Sequence, residues 1–174
     1  MLRIVRFITA SIKKKRNIRL IWPGSNCWNV EVDMDDTAEA NIHRLATFRS
    51  NCALRVRDNA KLTIGELTNF NNGCIITARN SISIGNRVSF GPNVMIFDHD
   101  HDFRGNDYMH HFVTAPIIIE DDVWVGANVT ILKGSVIRKG AVIGANSVVI
   151  GEVPENSVYT SLVGAKVRHY TRRV

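Results

Sequence analysis

The chain is expected to fold as an all-β coil of short parallel strands, and three observations carry that expectation. The segment Ile119–Pro154 divides without remainder into six hexapeptides, IEDDVW, VGANVT, ILKGSV, IRKGAV, IGANSV and VIGEVP. Each opens on Ile or Val and places a small or β-branched residue fifth, a self-similarity that marks a repeat architecture. Upstream a looser echo returns at a period of 20: Ile64 and Ile84 align, as do Phe70 and Phe90, the set Val56, Ile76 and Ile96, and the set Leu54, Cys74 and Val94. Composition agrees, with aromatics at only 7% beside abundant Val and Ile, which favours a β-rich interior over a helix bundle.

Short strands bounded by tight turns, each with apolar side chains pointing inward, stack into a prism whose Ile/Val ladders run from coil to coil. Three hexapeptides per turn give a triangular cross-section. In the upstream part each 20 is three sixes with two extra corner residues, supplied by Asp58-Asn59 and Arg79-Asn80. Before about residue 50 this register fails, so Thr37–Arg49 is expected to be a weak or irregular first coil.

Aligning residues 82–96 (ISIGNRVSFGPNVMI) on 117–131 (IIIEDDVWVGANVTI) gives an offset of 35, one period of 20 plus 15 inserted residues. The coil is therefore continuous, with a loop extruded after Asp98 that returns by Pro116. That stretch holds four of the six histidines, His99, His101, His110 and His111. Long insertions in a regular scaffold are usually functional.

The N-terminal part differs. Leu2, Val5, Ile8 and Ile12 recur at helical spacing beside a run of basic residues. Residues 1–20 hold seven basic side chains and no acidic one, while the remainder carries fifteen basic against sixteen acidic groups. A helix-like basic amphipathic arm follows, either docked on the body or lying on anionic lipid. It is too short and too charged for a membrane span and lacks a signal-peptide pattern. The near-neutral body and the absence of a recognition motif argue against a nucleic-acid partner. Three cysteines without metal-ligand spacing fit a reduced, cytoplasmic setting, peripheral on the membrane's inner face if residues 1–20 bind lipid. The division expected is an arm with lead-in strands (1–36), a β-helix domain (37–154) with its loop at 99–116, and a C-terminal tail (155–174).

The hexapeptides, above all Ile119-Glu-Asp-Asp-Val-Trp-Val-Gly-Ala-Asn-Val-Thr-Ile131 and Ile143-Gly-Ala-Asn-Ser-Val-Val149, resemble those of the hexapeptide-repeat acyltransferases, within them the sugar and polysaccharide O-acetyltransferases. The resemblance covers residues ~50–170. It implies a left-handed parallel β-helix, a homotrimer with active sites between subunits, acetyl-CoA as co-substrate without a metal, and a sugar or surface-glycan hydroxyl as acceptor.

It also implies a set of site residues. The family's base closes the phrase Val-x-Ile-x-x-x-x-His, and Val94-Met-Ile-Phe-Asp-His-Asp-His101 places His101 there. Removing a hydroxyl proton as the oxygen attacks a thioester suits an imidazole, and no neighbouring Cys or Ser suggests an acyl-enzyme. Asp98, Asp100 and Asp102 would orient that imidazole or bind acceptor, and His99, on a family position that is not the base, would contact substrate. Asn71 aligns with an acceptor-contacting asparagine. Arg79 stands where relatives carry an acidic acceptor ligand, a departure that points to a different, acidic acceptor. The resemblance puts coenzyme A along Gly126, Ala127, Gly144 and Ala145, flanked by Trp124, with Lys166 and Arg168 (and Arg172 and Arg173) near its phosphates; here the tail phrase departs from the family's. The alternatives are a metal-dependent hydratase of the carbonic-anhydrase type using the clustered histidines, a non-catalytic scaffold, and N-acetylation of an amino-sugar nucleotide.

Overall fold

The computed structural model describes residues 18–20, 30–107 and 109–161. Residues 1–17 of the amphipathic arm and the tail cations Lys166 and Arg168 lie outside these, while residues 18–20 form a strand. The described chain winds as a left-handed parallel β-helix with three walls. The first wall stacks Ile18–Leu20, Glu39–Ile42, Lys61–Ile64, Ser81–Ile84, Ile117–Ile119, Val136–Ile137 and Glu152–Val153. The second stacks Thr47–Phe48, Asn69–Phe70, Ser89–Phe90, Trp124–Val125, Val142–Ile143 and Val158–Tyr159. The third stacks Glu31–Met34, Ala53–Val56, Ile75–Ala78, Met95–Phe97, Thr130–Leu132 and Val148–Val149. Every pairing within a wall is parallel, and no described helix is long and apolar enough to cross a membrane.

The alternation of side chains along a strand explains the core. Alternate residues of each strand point in, so Ile64, Ile84, Ile119 and Ile137 form one buried ladder, and Ile76, Ile96, Ile131 and Val149 another. The second wall begins its ladder with aromatic rings: Phe48, Phe70 and Phe90 stack face to face at 4.7 and 4.5 Å before Val125 and Ile143 continue it. Each such side chain removed from water stabilises the coil by about 1.5–3 kcal/mol.

The register refines the sequence reading. Ile117 pairs with Ile82 and Thr130 with Met95, the 35-residue offset, and Val142 pairs with Trp124 three hexapeptides later. Upstream two expectations are corrected. Thr37–Arg49 is regular, since Glu39–Ile42 pairs with Lys61–Ile64 and Thr47–Phe48 with Asn69–Phe70. The third-wall partner of Leu54 is Ile76 rather than Cys74. Both errors have one cause: these coils are 22 residues long, because the corner Arg57–Ala60 has four residues where the next coil turns on Arg79-Asn80 alone.

Between the second and third walls the turns use left-handed backbone at Gly73, Asn93, Asn128 and Asn146, with φ of 74°, 57°, 56° and 61°. Asparagine tolerates that conformation better than other side-chain-bearing residues. Here it also forms a ladder, Asn93 Nδ2 donating to Asn128 Oδ1 and Asn128 Nδ2 to Asn146 Oδ1, both at 3.2 Å. Asn128→Ala is expected to destabilise the protein by about 1–2 kcal/mol. Asn128→Gly should recover most of that, since it removes the backbone strain but not the lost ladder; equal losses in urea unfolding would assign the effect to the hydrogen bonds alone.

Candidate active site on two edges of the prism

The site residues singled out in the sequence fall on two different edges. Where the third wall meets the first, the chain leaves the coil at Asp98 as an antiparallel hairpin. His99–His101 pairs with Phe112–Thr114, setting His99 opposite Thr114 and His101 opposite Phe112. The corner Arg79-Asn80 presents backbone N–H groups that a side chain must accept, as Asp35 and Asp121 do for the N–H groups of Asp58 and Asn86. Asp98 is that side chain: Oδ1 accepts from Arg79 N at 2.8 Å and Oδ2 from Asn80 N at 2.7 Å, in a residue with no exposed surface. Its backbone carbonyl accepts from Ala115 N at 2.9 Å, closing the base of the loop, and Asn80 Nδ2 donates to Thr114 Oγ1.

These contacts reassign Asp98. The sequence left Asp98 to orient the imidazole or to bind acceptor; here its buried carboxylate is shared by two backbone donors and His99, and so positions the hairpin. His99 follows it, with Nδ1 3.1 Å from Asp98 Oδ1 and its side chain 14% exposed. Its ring meets Phe97 and Phe112 edge-on at 6.1 and 5.5 Å. His101, two residues on, is exposed, with its ring centre 4.5 Å from that of Phe112. Asp100 is ion-paired with Lys133 of the next coil. His110 and His111 lie toward the tip, where both face Asp107.

Phe112 is the residue the sequence reading missed. It touches His99 and His101 and also lies against the Arg79 guanidinium, whose Cζ is 3.5 Å from the ring centroid. An aromatic two positions from the register-defining Thr114, on the return strand of a histidine-rich loop, was the available signal. Burial, then the neighbouring Arg57 cation, holds the Arg79 guanidinium below its ordinary value.

The second edge lies between the second and third walls. The column Asn71, Gly91, Gly126, Gly144 rises along it, each backbone N–H donating to the carbonyl of the coil above. A Cβ on Gly126 would come within 2.7 Å of Ala145 N, so this glycine is required by the approach of consecutive coils. Ala127 and Ala145 flank it, and Trp124 projects outward with 59% of its surface exposed. Asn71 therefore sits with the small-residue column rather than with His101, Arg79 and Asp100. Within one chain the Thr130–Leu132 strand and its turns separate the two sets. Among the described residues no group of three His, Cys, Asp or Glu side chains is placed to hold a metal ion.

The chain is a left-handed β-helix, and its residues 116–151 match the family model described as bacterial transferase hexapeptide (six repeats). It is similar to galactoside O-acetyltransferases. One from Escherichia coli (strain K12) is 30% identical over 154 residues, covering 86% of this chain and 64% of that protein. One from Lactococcus lactis subsp. lactis (strain IL1403) is 41% identical over 83 residues, covering 44% of this chain and 38% of that protein. A hexapeptide-repeat acetyltransferase from Vibrio cholerae O1 biovar eltor, solved with acetyl coenzyme A, superposes with a TM-score of 0.51 at 25% identity, covering 75% of this chain and 65% of that one. The chain thus spans less than two thirds of the length of these relatives.

Proposed function

We propose that the protein transfers an acetyl group from acetyl-CoA to a hydroxyl of a sugar or surface-polysaccharide precursor, with His101 as general base. The observation that carries this is the placement of His101. It is exposed on a hairpin held at its base by Asp98, with its ring against Phe112. The named relatives supply the reaction class, as galactoside O-acetyltransferases and as an acetyltransferase solved with acetyl-CoA.

The acceptor hydroxyl would lose its proton to the His101 imidazole as its oxygen attacks the thioester carbonyl, and the thiolate of coenzyme A would leave. Backbone N–H groups preorganised near the carbonyl would stabilise the oxyanion. Acetyl-CoA would lie along the Gly126–Gly144 edge, beside Trp124, Ala127 and Ala145, with Lys166 and Arg168 near its phosphates. Because that edge and the hairpin edge are separated within one chain, a complete site brings the hairpin of one subunit to the small-residue edge of another, as in a homotrimer. Asn71, on the same edge as the donor residues, would then meet the acceptor from the second subunit.

The full-length protein, assayed for coenzyme A release from acetyl-CoA with a panel of methyl glycosides, is expected to be active and to have the mass of three chains by light scattering. Activity in a species shown to be monomeric would overturn the shared site. Acetyl-CoA binding without transfer to any glycoside would overturn the sugar acceptor.

A further inference from the structure

We infer that the acceptor carries a carboxylate and that Arg79 receives it, an inference that rests on the transferase reading and names the acceptor's class. The argument starts from the stacking of coils at the hairpin edge. Arg57, one coil below Arg79, reaches down to two carboxylates, Asp33 at 2.9 Å and Asp35 at 3.3 Å. Arg79 repeats that position one coil higher, but the residues beneath it, at the places of Asp33 and Asp35, are Arg55 and Arg57. The repeat therefore hands Arg79 cations where it handed Arg57 carboxylates.

Asp35 and Asp98 act on the guanidinium through space, but neither pairs with it. Among the described residues Arg79 forms no ion pair, and its Nε is buried without a hydrogen-bond partner. The nearest carboxylate of the hairpin, Asp98, accepts from the backbone N–H groups of residues 79 and 80 and faces His99. Asp100 is taken by Lys133. Phe112 covers the guanidinium as an aromatic face, a contact worth less than a paired charge. A partly desolvated cation above another cation is unfavourable without an anion, and a planar guanidinium fits a carboxylate with two parallel hydrogen bonds.

Its position makes the anion a substrate group. The Arg79 Cζ and the His101 ring lie 3.5 and 4.5 Å from the same Phe112 centroid, and so within about 8 Å of each other. A sugar acid bound to Arg79 would span that distance to present a ring hydroxyl to His101. Uronic and nonulosonic acids have this arrangement of a carboxylate on the ring that bears the hydroxyls.

The test compares methyl glucuronide, methyl galacturonide and the methyl glycoside of N-acetylneuraminic acid with methyl glucoside and methyl galactoside in the coenzyme A release assay. At least one acid is expected to exceed the neutral glycosides by about 100-fold in kcat/KM. Arg79→Met should abolish that preference, bringing the acids down to the level of the neutral glycosides, and Arg79→Lys should restore part of it. Equal use of neutral and acidic acceptors overturns the inference, as does an Arg79→Met variant that loses both alike, which would make Arg79 only a support for Phe112. Should no glycoside be acetylated, the transferase reading falls, and the carboxylate site is judged separately by titrating the protein with the three acids. Saturable shifts of the Phe112 ring resonances in the wild type, lost in Arg79→Met, support it. No shift with any acid, or shifts that survive in Arg79→Met, overturn it.

Discussion

His101→Ala is expected to lower coenzyme A release by about 10²- to 10⁴-fold, the span associated with removing a general base, while acetyl-CoA binding is retained. The expectation separates two histidines that lie two residues apart and look alike in sequence. His99 has its Nδ1 on the buried Asp98 carboxylate and its ring edge-on to two phenylalanines. His101 lies one step further along the strand, exposed and on the same Phe112 ring. His99→Ala should therefore act mainly on stability and on the order of the hairpin, and His101→Ala on turnover with stability little changed. Near-wild-type turnover of His101→Ala would end its assignment as base. The same loss from His99→Ala, with an unchanged melting temperature, would transfer the role.

The second large effect is expected at Asp98. Asp98→Ala frees His99 from its partner. It also removes the acceptor of two backbone N–H groups, each costing about 1–3 kcal/mol when left unpaired, so a loss of about 2–6 kcal/mol follows. Asp98→Asn should recover little of it, because the amide has a single acceptor oxygen and turns two donors toward the N–H groups of Arg79 or Asn80. Urea unfolding measures the loss, and hydrogen exchange at residues 79 and 80 locates it. A cost below about 1 kcal/mol for Asp98→Ala would mean that water replaces the carboxylate and that the hairpin stands without it.

Much of this arrangement was written in local pattern. The six hexapeptides from Ile119 define strand, corner and inward position one by one, because in a β-helix each coil touches only its neighbours and the core is a ladder of equivalent residues. The 35-residue offset likewise located the inserted loop, since an insertion leaves the stacking of the flanking phrases unchanged. The upstream coils were less legible. Their corners change length, from Arg57–Ala60 to Arg79-Asn80, and a fixed period cannot follow a corner that loses two residues.

For the candidate site, sequence by itself determined the residue types and the coil each belongs to: a histidine-rich insertion after Asp98, small residues at 126–127 and 144–145, and an arginine at 79. Only the tertiary structure decided how they are distributed. It put Asn71 on the same edge as Gly126, away from His101. It buried Asp98 and turned it from a ligand candidate into a cap. It brought Phe112, eleven residues along the chain from His101, against both that ring and Arg79. The physical reason is that a repeat encodes height along the coil, whereas the partners of a side chain at a corner depend on what the coils above and below place there.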